Sequence, residues 1–120
     1  MRVLIATVSL SVALLAAFAT AAPAADTITG YISDTKCATS GSKAKTAAEW
    51  IKPAAFEECV KKCVKEGSDA VFVTEDNKIL KFDTASAGKI TPYLGRKVSV
   101  TGSVKDGTIK IASIAALKME

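Results

Sequence analysis

The segment Phe56-Glu-Glu-Cys59-Val60-Lys-Lys-Cys63-Val64-Lys-Glu-Gly67 limits the folds open to this chain more than any other stretch. Phe56, Cys59, Val60, Cys63 and Val64 recur at i, i+3, i+4, i+7 and i+8, the stripe of an amphipathic helix. Glu57, Glu58, Lys61, Lys62 and Lys65 fill the other face, with Glu57–Lys61 and Glu58–Lys62 in the favourable i, i+4 order. Gly67 supplies a left-handed stop. Two of the three cysteines are therefore expected to point inward from one helix, and Cys37 must come from another element to meet them.

The compartment matters for cysteine chemistry, and the N-terminus bears on it. Met1-Arg2 is a short positive start, Val3 to Phe18 carries no charge, and Ala22-Pro23-Ala24 offers a small-x-small cleavage site. Those are the parts of a secretory signal peptide, expected over residues 1–24. An uncleaved anchor is the rival reading, but no Lys/Arg cluster follows the run to stop transfer. The expected product is a periplasmic or secreted single domain over residues 25–120, with no membrane segment once the signal is removed. Without Arg2, the 16 Lys/Arg become fifteen against 12 Asp/Glu, a formal charge near +3. The signs are interspersed, so this is no nucleic-acid footprint. A chain this short buries only about 60–65% of its unfolded surface, which makes one covalent staple valuable.

Around the helix, the apolar period is two. Thr27–Ser33 reads as a first strand, with Tyr31 opposite Ile28 and Ile32. Asp34 to Cys37 turns out of it, and Ala38–Lys45 reads as a loop. Thr46-Ala-Ala-Glu49 fits a capping box that starts a turn carrying Trp50 and Ile51, and Pro53 suits the first turn of the main helix. Asp69–Thr74 is apolar on both faces and returns through Glu75–Asn77 into Lys78–Phe82. Thr84–Gly95 is an irregular connection with a helical turn near Ile90–Leu94. Val98, Val100 and Val104 alternate with polar residues, and Asp106-Gly107 is a two-residue hairpin turn. Ile109 and Ile111 return in register, and Ile114 breaks the alternation, which predicts a bulge near Ala112-Ser113. The expected fold is mainly β with one amphipathic helix (α+β): a small five-stranded antiparallel barrel of the oligonucleotide/oligosaccharide-binding (OB) type, with the helix between strands one and two.

Three stretches carry a resemblance. Gly30-Tyr31-Ile32-Ser33-Asp34-x-x-Cys37, Cys59-x-x-x-Cys63-Val64-Lys65-x-Gly67 and Gly95-x-Lys97-Val98-x-Val100-Thr101-Gly102 resemble a group of small secreted proteins of acidobacteria and related soil bacteria, the DUF5818-like group. The resemblance spans nearly the whole mature chain and implies a secreted OB-like domain, with no reaction attached. The group's pattern places Gly after the first Cys and often His soon after. Here Ala38 follows and the chain has no histidine, so no Cys/His ligand set carries over.

Cys59 and Cys63 stand one helical turn apart, with Cβ atoms about 5–6 Å from each other. A disulfide wants about 3.5–4.5 Å, so a bridge inside the helix is strained. Exported thiols are usually oxidised, which points to Cys37 paired with one of the two. If the first two strands pair antiparallel, Cys37 and Cys63 both lie near the joined strand ends, which favours Cys37–Cys63. That bond would close about 25 residues and contribute on the order of 3 kcal/mol in the chain-entropy model. Cys59 is then an inert thiol, a redox thiol or the link of a disulfide-bonded dimer. The alternative keeps all three reduced: Cys37, Cys59 and Cys63, with Asp34 as a fourth donor, would suit zinc or cuprous copper.

Other chemistry is sparse. Without histidine, no Ser–His–acid or Cys–His arrangement exists. No phosphate-cradling Gly loop is present. Tyr31, Trp50 and Tyr93 are the aromatic candidates for a ligand surface. The sequence therefore predicts a disulfide-stabilised, non-catalytic binding module of the cell envelope, monomeric or a disulfide-linked dimer, without cofactor. Its expected partner is an envelope protein, a glycan or a small molecule, and no nucleic acid. The alternative is a thiol-based redox or soft-metal protein, thiol–disulfide exchange being the only activity the residues allow.

Overall fold

The computed structural model describes residues 26–119, and the expected signal peptide lies outside them. It is a mixed α+β fold. The strands are β1 (Asp26–Asp34), β2 (Ala70–Thr74), β3 (Ile79–Phe82), β4 (Lys97–Lys105) and β5 (Thr108–Ala116). The helices are α1 (Thr35–Ser40), α2 (Pro53–Lys65) and α3 (Thr84–Ala87), with 3-10 turns at Ala47–Glu49 and Thr91–Tyr93. Among them α2 is the main helix, and it lies between β1 and β2 as the sequence predicts.

β1 serves two partners. Gly30–Asp34 pairs with Thr74–Ala70 of β2, and Asp26–Tyr31 pairs with Gly102–Lys97 of β4. The five strands therefore close on themselves in the order β1-β2-β3-β5-β4. The all-antiparallel expectation is corrected here, because β3 and β5 run parallel, Lys81 against Thr108 and Phe82 against Ile109. Parity requires it: directions cannot alternate all the way round a closed circuit of five strands, so one contact must be parallel. The two short strand contacts of β3–β5 are where the circuit accepts this.

The predicted bulge is present. Thr101 pairs with Ser113 and Gly102 with Ile111, so Ala112 is the extra residue. The inward phase shifts across it, with Ile109 and Ile111 buried before it and Ile114 half-buried after it. α3 packs at this point. The buried Ser86 Oγ accepts the Ile111 N–H at 2.7 Å, and Lys89 Nζ donates to the Ile111 carbonyl at 3.2 Å. The turn at Asp106-Gly107 has both φ angles positive, 51° and 73°, as a tight hairpin needs.

Ile32, Phe72, Val73, Val98, Val100 and Ile109 are wholly buried inside the barrel. α2 lays Phe56 and Val60 over this core, and Gly67 follows its end at φ +106°. Cys63 is buried with them, but Cys59 is exposed, which corrects the expectation that both cysteines face inward. The stripe spans more than the width of helix that the barrel covers, and Cys59 falls at its edge.

Candidate functional site

The site is built where β1 runs out into α1. The sequence reading made Thr35–Lys45 a turn and loop, but Thr35–Ser40 is helical. Six residues rarely hold a helix unaided. Asp34 supplies the missing stability, as an extended N-cap whose Oδ2 accepts the Lys36 N–H at 3.0 Å and the Cys37 N–H at 3.2 Å. The same oxygen accepts Ser68 Oγ at 3.0 Å, just after α2, and the Thr35 N–H bonds the Asp69 carbonyl at 2.9 Å. One carboxylate thus ties the start of α1 to the end of α2 and fixes the direction of Cys37.

Cys37 faces α2. Its Sγ lies 3.0 Å from Cys59 Sγ, and the sulfurs of Cys37, Cys59 and Cys63 all fall within 4.8 Å of one another. No pair stands at the ~2.0 Å of a disulfide. The neighbour nearest Cys37 is thus Cys59, whereas strand topology alone pointed to Cys63. Counting residues from paired strand ends ignores that Thr35–Ser40 winds into a helix, which carries Cys37 back along α2. Burial, and then the Asp34 carboxylate beside it, push the Cys37 thiol far above the ordinary thiol range. Cys63 is pushed up as well, first by burial and then by the negative charge of Asp34. Both thiols are weak nucleophiles in this state, because the thiolate is the reactive form.

Asp34 is the most committed and the least satisfied residue here. It is completely buried, yet Oδ1 has no hydrogen-bond partner among the described residues. A buried carboxylate oxygen without a donor costs about 1–3 kcal/mol or more. The three thiols form a donor set that a soft cation would satisfy, and the Asp34 carboxylate lies outside that cluster. Thiolates bound about 2.3 Å from a tetrahedral ion sit roughly 3.8 Å apart, which the present spacing allows with small movements.

The thiols open on a groove of about 500 Å³. Trp50, Ala55 and Phe56 form its apolar wall, and Lys36, Lys52 and Lys62 stand around it with Glu66. Trp50 is held from three sides. Its ring meets Phe56 edge-on at 5.7 Å, its Nε1–H donates to Asn77 Oδ1 at 2.8 Å, and Gly41 lies so close behind it that a Cβ there would run into the indole. Asn77 also donates through Nδ2 to the carbonyls of Gly41 and Ala44, at 2.9 and 2.8 Å. The expected capping box does not form: Thr46 makes no side-chain cap, and Glu49 Oε2 accepts the N–H of Lys45 at 3.1 Å instead of that of Thr46.

The structure brings together Cys37, Cys59, Cys63 and Trp50, with Asp34 behind them. It does not bring Tyr31 and Tyr93 to the same surface. Tyr31 is buried against Phe56, with the Lys97 ammonium 5.9 Å above its ring, and neither tyrosine lines the groove. Alternation made Tyr31 a surface residue, but α2 covers that side of β1. Asn77, Gly41, Lys36 and Lys52 escaped the sequence reading, and Lys62 entered it only as part of the outer face of the main helix. Only Asn77 carried a signal, as an asparagine in a tight turn, where it adopts φ +61°. Set beside known proteins, the chain matches no family model, no curated protein and no solved structure.

Proposed function

We propose that this is an exported binding domain whose ligand is a soft metal ion, zinc or cuprous copper, held by Cys37, Cys59 and Cys63. The observation that carries the reading is the convergence of three sulfurs from two helices within 4.8 Å. Asp34, the fourth donor the sequence offered, is not among the groups that converge with the sulfurs, and it acts instead as the cap that holds Cys37 in place. A bound cation would also reverse the electrostatics that now hold the Cys37 and Cys63 protons in place, so loading releases protons. Thiolate donors without histidine select soft ions over magnesium or calcium. The raised thiols speak against a disulfide-exchange enzyme, and no catalysis is proposed.

A second reading rests on the 3.0 Å contact between Cys37 and Cys59: a disulfide between them, with Cys63 a buried thiol. The barrel itself we read as OB-like. Its strand order and its single parallel contact suit a five-stranded Greek-key barrel, although the main helix precedes β2.

One experiment separates the readings. Protein recovered from the periplasm is weighed intact under native conditions, then reduced, stripped with chelator and titrated anaerobically with Zn²⁺ or Cu⁺. The metal reading expects one ion per chain and a higher melting temperature on loading, both lost in Cys37→Ser. One disulfide, one thiol and no metal uptake after reduction would replace it with the Cys37–Cys59 staple.

A further inference from the structure

The groove beside the thiols carries more apolar surface and more positive charge than a metal ion uses. At about 500 Å³ it lies within the size range of small-molecule sites. Its wall is preorganised: Trp50 is pinned by Phe56, Asn77 and Gly41, so little side-chain entropy is lost when a ligand packs on it. The indole N–H is already bonded to Asn77, so what Trp50 offers the groove is ring surface and no polar handle.

The rim has the opposite character. Lys36, Lys52 and Lys62 are exposed, and Glu66 is the one acidic residue that lines the groove with them. None of the three lysines forms an ion pair among the described residues, although Lys61, Lys78 and Lys97 each find a carboxylate. Three uncommitted ammonium groups against one carboxylate, above an apolar wall, match a ligand with an apolar body and an anionic head. We infer that the groove binds a small amphiphilic carboxylate, its hydrocarbon body against Trp50, Ala55 and Phe56 and its head among Lys36, Lys52 and Lys62. The ammonium groups would hold the carboxylate while their aliphatic stems extend the apolar wall. This does not rest on the metal reading, because the wall and rim are formed by residues other than the thiols.

The chain has a single tryptophan, so Trp50 reports on the groove directly. Octanoate, octanol and octyltrimethylammonium are titrated against the protein, metal-free and metal-loaded, with tryptophan emission as the signal. The expected result is saturable change with octanoate binding about tenfold more tightly than octanol, and no saturation with the cation. Lys52→Glu/Lys62→Glu, which alters only exposed side chains, is expected to cancel the preference for octanoate over octanol. Equal binding of octanoate and octanol would overturn the anionic half of the inference. No saturable change with either, or a charge-reversed variant that binds octanoate as before, would overturn it entirely. Octanoate bound in the metal-free protein leaves the inference intact even where metal uptake fails.

Discussion

The β4–β5 hairpin and the α1–α2 layer lie on one barrel but are held in different ways. In the hairpin, neighbours in space are neighbours in register. Val98, Val100, Ile109 and Ile111 turn inward by simple alternation, and the turn residues that join the strands are adjacent in sequence. In the α1–α2 layer the fixing contacts are few, polar and long in sequence: Asp34 to Ser68, and Asn77 to Trp50, Gly41 and Ala44. Outside its positive-φ turn and Gly102, the first kind of structure survives many substitutions, because hydrophobic volume is its main demand. The second depends on single atoms, and it is the one that assembles the sulfurs and the groove.

The comparison can be broken at its common support. Phe72 is wholly buried and meets Phe82 edge-on, so Phe72→Ala removes packing on which both regions rest. A loss of about 3–5 kcal/mol is expected in urea unfolding, with both regions melting in one transition. Separate transitions for tryptophan emission and for backbone signal would show that the helical layer is an independent unit.

A narrower change should separate the two regions. Asn77→Gly tolerates the left-handed φ and removes three side-chain hydrogen bonds. We expect about 1–3 kcal/mol of lost stability, red-shifted Trp50 emission and faster amide exchange over residues 41–50. Protection in the Asp106-Gly107 hairpin should stay near its wild-type level once scaled to global stability. Unchanged emission would mean that Phe56 and Gly41 position the indole without Asn77.

The smallest effect sharpens the contrast through pH. In the reduced, metal-free protein the Cys37 and Cys63 thiols are held above their unfolded values, so the native state keeps protons that the unfolded state loses. Stability must then fall as pH rises past about 8.5, where unfolded thiols ionise. The urea midpoint should be lower at pH 9.5 than at pH 7.5, and Cys37→Ser should flatten the slope. A slope that Cys37→Ser leaves intact would assign the effect to other groups. The hairpin contributes no thiol, so this dependence belongs to the helical layer.

Much of the barrel was legible in the sequence because its rules are local. Alternation located the strands, Asp106-Gly107 located the turn, and the phase change at Ile114 located the bulge at Ala112. The same reasoning missed α1, because six residues beginning Thr-Lys-Cys have no helical period to read, and their cap comes from a strand end. It misjudged Tyr31 because alternation says which residues share a face and not what covers that face. It also favoured Cys63 over Cys59 as the neighbour of Cys37, because counting from strand ends did not foresee the helix that carries Cys37 to Cys59.

The sequence by itself determined the amphipathic helix, the strand periods and the one-turn spacing of Cys59 and Cys63, since each follows from spacing along one element. Tertiary structure alone decided the parallel β3–β5 contact, the capture of Asp34 and Asn77, and the opening of the thiols onto a basic-rimmed groove. The reason is physical: periodicity is a property of a single element, whereas closure, burial of a carboxylate and the shape of a groove exist only once elements distant in the chain have packed.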